Sequence, residues 1–91
     1  MSSTITMRVD NIKFLSTGND GGHIYVRGKG NFKNHGIVDV YAHFSTKTLE
    51  KEFKQMFKEG AVEFVSSRWE FMPEIGLSLR DVTEWKLIDS V

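Results

Sequence analysis

The apolar residues of this chain change their spacing once, and that change restricts the fold more than any motif does. Leu49, Phe53, Met56 and Phe57 fall at i, i+4, i+7 and i+8, one stripe of an amphipathic helix whose other face is Lys and Glu. The remaining apolar runs alternate with period two or are rich in β-branched and aromatic residues, as strands are. The spacing predicts a helix over residues 46–59, capped by Ser45 or Thr46 and stopped by Gly60 in the left-handed region.

Ahead of that helix, Ile5, Met7 and Val9 alternate and the phase then moves to Ile12 and Phe14. Residues 5–15 therefore read as one long strand, bent by a bulge near Asp10 or Asn11. Residues 16–22, STGNDGG, are turn formers and predict a flexible connection. Residues 22–32 and 36–45 read as a hairpin whose turn contains Asn34 and ends at Gly36. Beyond the helix, residues 62–72 form a fourth strand and Pro73 opens the turn PEIG. Residues 77–88 form the last strand, anchored by Leu77, Leu79, Val82, Trp85 and Leu87. The order is β-β-β-α-β-β, an all-β single domain with one helix over residues 1–91, with no internal repeat.

A chain of 91 residues builds one core, near the lower end of the size that folds without metal or crosslinks. The absence of cysteine excludes disulfides and thiolate metal sites, so stability must come from packing, helped by self-association. Twelve basic residues balance twelve acidic ones, which argues against a protein that coats DNA through bulk charge. Any polyanion site must be local. The start, MSSTITMRVD, has no basic stretch before an apolar run, and no segment approaches the roughly 20 apolar residues that span a bilayer. The expectation is a soluble cytoplasmic protein with no membrane partner.

Residues 21–38 supply the local charge: Arg27, Lys29 and Lys33 with no acidic residue, and Tyr25 and Phe32 among them. Basic side chains hold phosphates and flat rings accept bases, the pairing that single-strand binders use. If Val38, Val40, Ala42 and Phe44 face inward, strand alternation turns Asp39, Tyr41 and His43 outward, and likewise Tyr25 and Arg27 beside Ile24 and Val26. Tyr25 and Tyr41 then either stack bases or pair across strands to stabilise the sheet. Phe32, near the hairpin tip, is a stacking platform, a contact between copies, or a ring folded back onto the core. On the fourth strand an inward Val62 and Phe64 would bring Arg68 inward too, which is costly for an unpaired charge. A phase shift over residues 65–67 is therefore expected, which would put Trp69 and Phe71 in the core, with an exposed Trp69 as the alternative.

Catalytic chemistry finds no footing. His23, His35 and His43 lack helical spacing and any accompanying carboxylate or thiolate cluster. Asp39 and His43, four residues apart on a strand, are about 13 Å apart. There is no G-x-S-x-G, P-loop or dinucleotide fingerprint, and Gly28-Lys29-Gly30 reads as a turn or bulge. A protein without enzymatic activity, metal or cofactor is expected.

The order of elements, the long bent first strand and the helix between strands three and four resemble the OB-fold, a five-stranded Greek-key barrel. Within it, the chain resembles small bacterial and phage single-stranded-DNA-binding proteins, primosomal replication protein N among them. Gly76, Leu77 and Ser78 opening the last strand, and Leu87, Ile88, Asp89 and Ser90 closing it, carry that likeness. The resemblance implies single-stranded DNA or RNA as partner, little sequence preference, a role in DNA replication, and a homo-oligomer, dimer or higher. It also implies a site on strands two and three, where Tyr25, Tyr41 and Phe32 stack bases, Lys13, Arg27, Lys29 and Lys33 contact phosphates, and His43 adjoins. The rival expectation is a protein-interaction or assembly module, phage- or plasmid-encoded, that uses the barrel as scaffold.

Overall fold

Seven elements follow one another: β1 (Ile5–Thr17), β2 (His23–Phe32), β3 (Gly36–Phe44), α1 (Lys47–Met56), β4 (Ala61–Ser66), β5 (Trp69–Met72) and β6 (Gly76–Ile88). The computed structural model describes residues 4–17 and 23–88. Residues 18–22 of the expected flexible connection lie outside that range, as do Asp89 and Ser90. β1 pairs antiparallel with β2 through its second half and with β4 through its first. β4 and β5 pair with successive parts of β6 and together act as one broken strand. A parallel pairing of β3 with β6, Val40 opposite Leu77, closes the sheet into a five-stranded, OB-like barrel. The β-β-β-α-β-β order holds. Among the described residues, no helix is long and apolar enough to cross a membrane.

β1 can serve two neighbours because it bends where the phase of its apolar residues changes. Asp10 lies opposite Lys29 but Lys13 lies opposite Arg27, so β1 carries an extra residue there. Asn11 absorbs it at φ 54, a left-handed conformation that Asn tolerates better than most residues. The Gly28-Lys29-Gly30 triplet is neither a turn nor a bulge but runs through β2 beside this bend. A methyl on Gly28 would stand 2.6 Å from the Asp10 carbonyl oxygen, and one on Gly30 2.9 Å from that of Arg8. Both glycines mark where β1 crosses β2 too closely for a side chain.

Val9, Val26, Val40, Val62, Phe64, Leu77, Leu79 and Val82 fill the barrel and are fully buried. α1 plugs one end with Phe53, whose ring meets those of Phe14, Phe44, Phe57, Phe64 and Trp85. Thr46 is the N-cap, its hydroxyl accepting the Leu49 N–H at 3.1 Å. The helix is shorter than its stripe predicts. It ends at Met56 with Phe57 as C-cap, and Gly60, at φ 104, belongs to the connection that follows. Met56 is accordingly 55% exposed, while Glu50, from the expected polar face, is buried. The pairing of β2 with β3 stops at Val26 opposite Ala42, and beyond it the Glu50 carboxylate accepts the Ile24 N–H at 2.7 Å.

The expected phase shift on the fourth strand is present, with a register irregularity between Val65 and Ser66. The buried Ser66 hydroxyl donates to the Arg68 carbonyl at 2.5 Å and accepts the Asp81 N–H at 3.2 Å, while the Ser67 hydroxyl donates to the Asp81 carboxylate. Together with the backbone bonds from the Ser67 N–H to the Asp81 carbonyl and from the Arg80 N–H to the Arg68 carbonyl, they hold the break closed, and Arg68 lies in solvent. Phe71 is half-buried and packs against the core, but the core placement of Trp69 needs correction, since it is 37% exposed. β5 pairs only with β6 among the described strands, so it stands at the sheet edge and its inward side covers an end of the barrel.

Candidate functional site

The outward residues of β1, β2 and β3 meet in rows set by the register. Lys13 lies opposite Arg27, and Arg27 opposite Tyr41, one line across three strands. The Arg27 guanidinium lies 5.8 Å from the Tyr41 ring centroid, within cation–π range. Toward the start of β2, the Tyr25 and His43 rings stack with centroids 4.9 Å apart and an 18° interplanar angle. In the opposite direction Lys29 faces Asp39. Lys13, Tyr25, Arg27, Lys29, Tyr41 and His43 therefore share one face, as strand alternation requires.

Asp39 changes the charge of that face. Its carboxylate accepts a hydrogen bond from the Lys29 ammonium at 2.6 Å and lies 3.6 Å from the Arg27 guanidinium. The Lys29 hydrogen bond is the main reason its pKa falls below the ordinary carboxylate value; desolvation opposes the shift, and attraction to Lys29 and Arg27 reinforces it. Two of the cations expected to meet phosphate already hold an anion. Lys13 and Lys33 have no acidic partner among the described residues.

Phe32 does not join this face. It continues the inward phase of Val26, Gly28 and Gly30, and its ring stacks on Phe71 at 4.8 Å and on His35 at 5.5 Å, with Trp69 edge-on at 5.6 Å. Of the three alternatives for Phe32, the fold-back is the one observed: the cluster ties the β2–β3 hairpin to the β5–β6 hairpin at the barrel end away from α1. Lys33 sits in the exposed turn, where the His35 N–H donates to the Phe32 carbonyl at 2.9 Å and Asn34 and Gly36 take φ of 63 and 73. His43 stacks on the outer face and His35 joins the ring cluster; the side chain of His23 lies outside the described residues.

Two depressions follow the line where β1 leaves β2. One, of about 430 Å³, lies at the bulge between Asn11, Lys13, Arg27 and Lys29. The other, of about 910 Å³, opens between the first half of β1 and the end of β2, with Arg8, Lys33, Ile37 and Trp69 on its walls. They share Asn11 and Lys29. Sequence reasoning missed this groove because it arises from the divergence of two strands and not from any one segment. It also missed the Lys29–Asp39 pair, although the hairpin carried the signal: a turn that sets Phe32 opposite Gly36 brings Lys29 opposite Asp39 three steps later. Comparison with protein-family models finds no match, and comparison with curated proteins and with solved structures finds none either.

Proposed function

We propose that this is a non-catalytic single-stranded nucleic-acid-binding protein, with DNA the first substrate to test and little sequence preference. The observation that carries the proposal is the outer face of β1–β3, where Lys13, Arg27 and Lys29 lie among Tyr25, Tyr41 and His43. Cations along a backbone path with rings beside them suit a single strand, since every base offers a face to stack and every linkage a charge. The barrel topology and the resemblance to small OB-type single-strand binders support the reading by analogy. In this reading the protein works in the cytoplasm in DNA replication, as a homo-oligomer, and a chain without cysteine suits a reducing compartment.

Asp39 tempers the expected affinity. Each stacked base contributes about 1 to 3 kcal/mol, and the electrostatic part falls linearly in log salt. Anisotropy of a labelled oligo-dT at low and high salt is the direct test, with binding expected at low salt and weakening as salt rises. No anisotropy change at low salt overturns the proposal. The triple substitution Tyr25→Ala, Lys29→Ala, Lys33→Ala should bind more weakly than wild type; equal binding would move the site off this face.

A protein-interaction or assembly module, phage- or plasmid-encoded, is the second reading. Ile37, 68% exposed, stands with Trp69 on the walls of the larger groove, an apolar pairing suited to a protein partner. A concentration-dependent mass with no oligo-dT binding would favour it.

A further inference from the structure

The two depressions along β1 and β2 form one path because Asn11 and Lys29 belong to both. At one end lie Lys13 and Arg27, on the outer face already described. At the other the path widens, since the first half of β1, Ile5 to Val9, pairs with β4 while β2 continues beside β3 to Phe32. Gly30 is where the two strands last come close, its α-carbon facing the Arg8 carbonyl. Past it, Arg8, Asn31 and Lys33 edge a groove whose far wall is Trp69.

The cations and the ring differ in availability along this path. Arg8 holds Asp10 at 3.6 Å and Lys29 holds Asp39, whereas Lys33 has no acidic partner among the described residues. On the outer face Tyr25 is stacked by His43 and Tyr41 lies beneath Arg27. Trp69 packs its ring edge-to-face with Phe32 and still leaves 37% of its surface to the groove side and solvent. An indole held at a fixed angle by an aromatic cluster, next to a cation with no acid, is a preorganised seat for one base and one phosphate.

We infer that a bound single strand does not stop at the β2–β3 face but follows the β1–β2 seam past Lys29 into this groove, where a base stacks on Trp69 and its phosphate meets Lys33. The inference rests on the nucleic-acid reading above. It adds a subsite and names Trp69 as the ring that would report binding.

Labelled oligo-dT anisotropy, read together with intrinsic tryptophan emission on the same samples, tests it. The chain has two tryptophans, and Trp85 packs against Phe53 near α1, so it serves as the internal control. The wild type should show an anisotropy rise with quenched emission. Trp69→Leu should lose the quench and bind about 5- to 150-fold more weakly, the loss of one base–ring stack. Trp69→Phe should restore much of that affinity. Lys33→Ala, a change in an exposed turn that leaves the core intact, should lower the salt slope by about 0.7. Binding by anisotropy without quenching, together with wild-type affinity and slope in Trp69→Leu and Lys33→Ala, overturns the groove path while the nucleic-acid reading survives. No anisotropy change with the wild type overturns both.

Discussion

Asp39→Asn offers the sharpest test of how the candidate face works. The carboxylate sits opposite Lys29 and within reach of Arg27, so a phosphate must compete with it for both cations. Asparagine keeps an oxygen that can accept the Lys29 hydrogen bond and removes only the charge. If Lys13, Arg27, Lys29 and Lys33 each meet one phosphate, four contacts on a single strand give a log–log salt slope of about −2.8. An anion that holds back one cation reduces the wild-type slope to about −2.1. The same difference, about 0.7 per decade of salt, makes the variant about 8-fold tighter at 50 mM and about 3-fold tighter at 200 mM. Oligo-dT anisotropy across that salt range measures both quantities, and thermal melting checks that the fold is unchanged. The pH dependence has a definite sign. A carboxyl whose folded pKa is lowered keeps its charge, and its pair with Lys29, above the ordinary carboxylate range, and loses them as pH falls through the lowered value. Wild-type affinity should therefore rise toward the variant's only in that acid window, where thymine bases stay neutral. Equal affinities and equal slopes at neutral pH would refute the competition and remove Lys29 and Arg27 from the phosphate path.

Three further outcomes concern the scaffold. Ser66→Ala takes the hydroxyl from the Asp81 N–H inside the strand break, while the Arg68 carbonyl keeps its bond from the Arg80 N–H, and should cost about 1 to 3 kcal/mol in urea unfolding with the m-value unchanged. Gly28→Ala should destabilise by about 1 to 3 kcal/mol and by more than Gly30→Ala, because its methyl presses harder on the backbone of β1; equal stability of both variants with wild type, by the same titration, would contradict the close crossing. Phe53→Ala removes the ring on which α1 docks and should cost about 3 to 5 kcal/mol, a large share of the stability of a domain this size, seen as a lower melting temperature or failure to fold.

Much of the fold was legible because period and phase are local. The move from Val9 to Ile12 located the bulge, and the four-residue spacing of Leu49 and Phe53 located the helix face. Asn34 and Gly36 marked the turn, where both have positive φ. What escaped was decided by partners distant in sequence. Glu50 reads as a solvent residue until β2 is found to leave the Ile24 N–H beyond the end of its pairing with β3. Trp69 reads as core until β5 proves to be a sheet edge. Phe32 obeyed strand alternation all along, since it lies an even number of residues from Val26, but its place at the hairpin tip made it look like a displayed ring. Alternation alone turns Tyr25, Arg27, Tyr41 and His43 outward, but the charge of that face is lower than the basic segment suggests because Asp39, one residue beyond it, pairs with Lys29.

The parallel seam between β3 and β6 has a consequence for how the molecule opens. β3 is joined to β2 through a short turn, and to β6 only through residues that the chain reaches after the helix and the broken strand. Hairpins form in about 1 to 10 μs, whereas a contact such as Val40 with Leu77 must first close a long loop and so forms later and opens sooner. Parting of that seam would leave the β1–β2–β3 meander intact, with Lys13, Arg27 and Tyr41 still in line. The amides of β3 that face β6 should then exchange with solvent faster than those that face β2, and the candidate face would persist while the barrel behind it breathes.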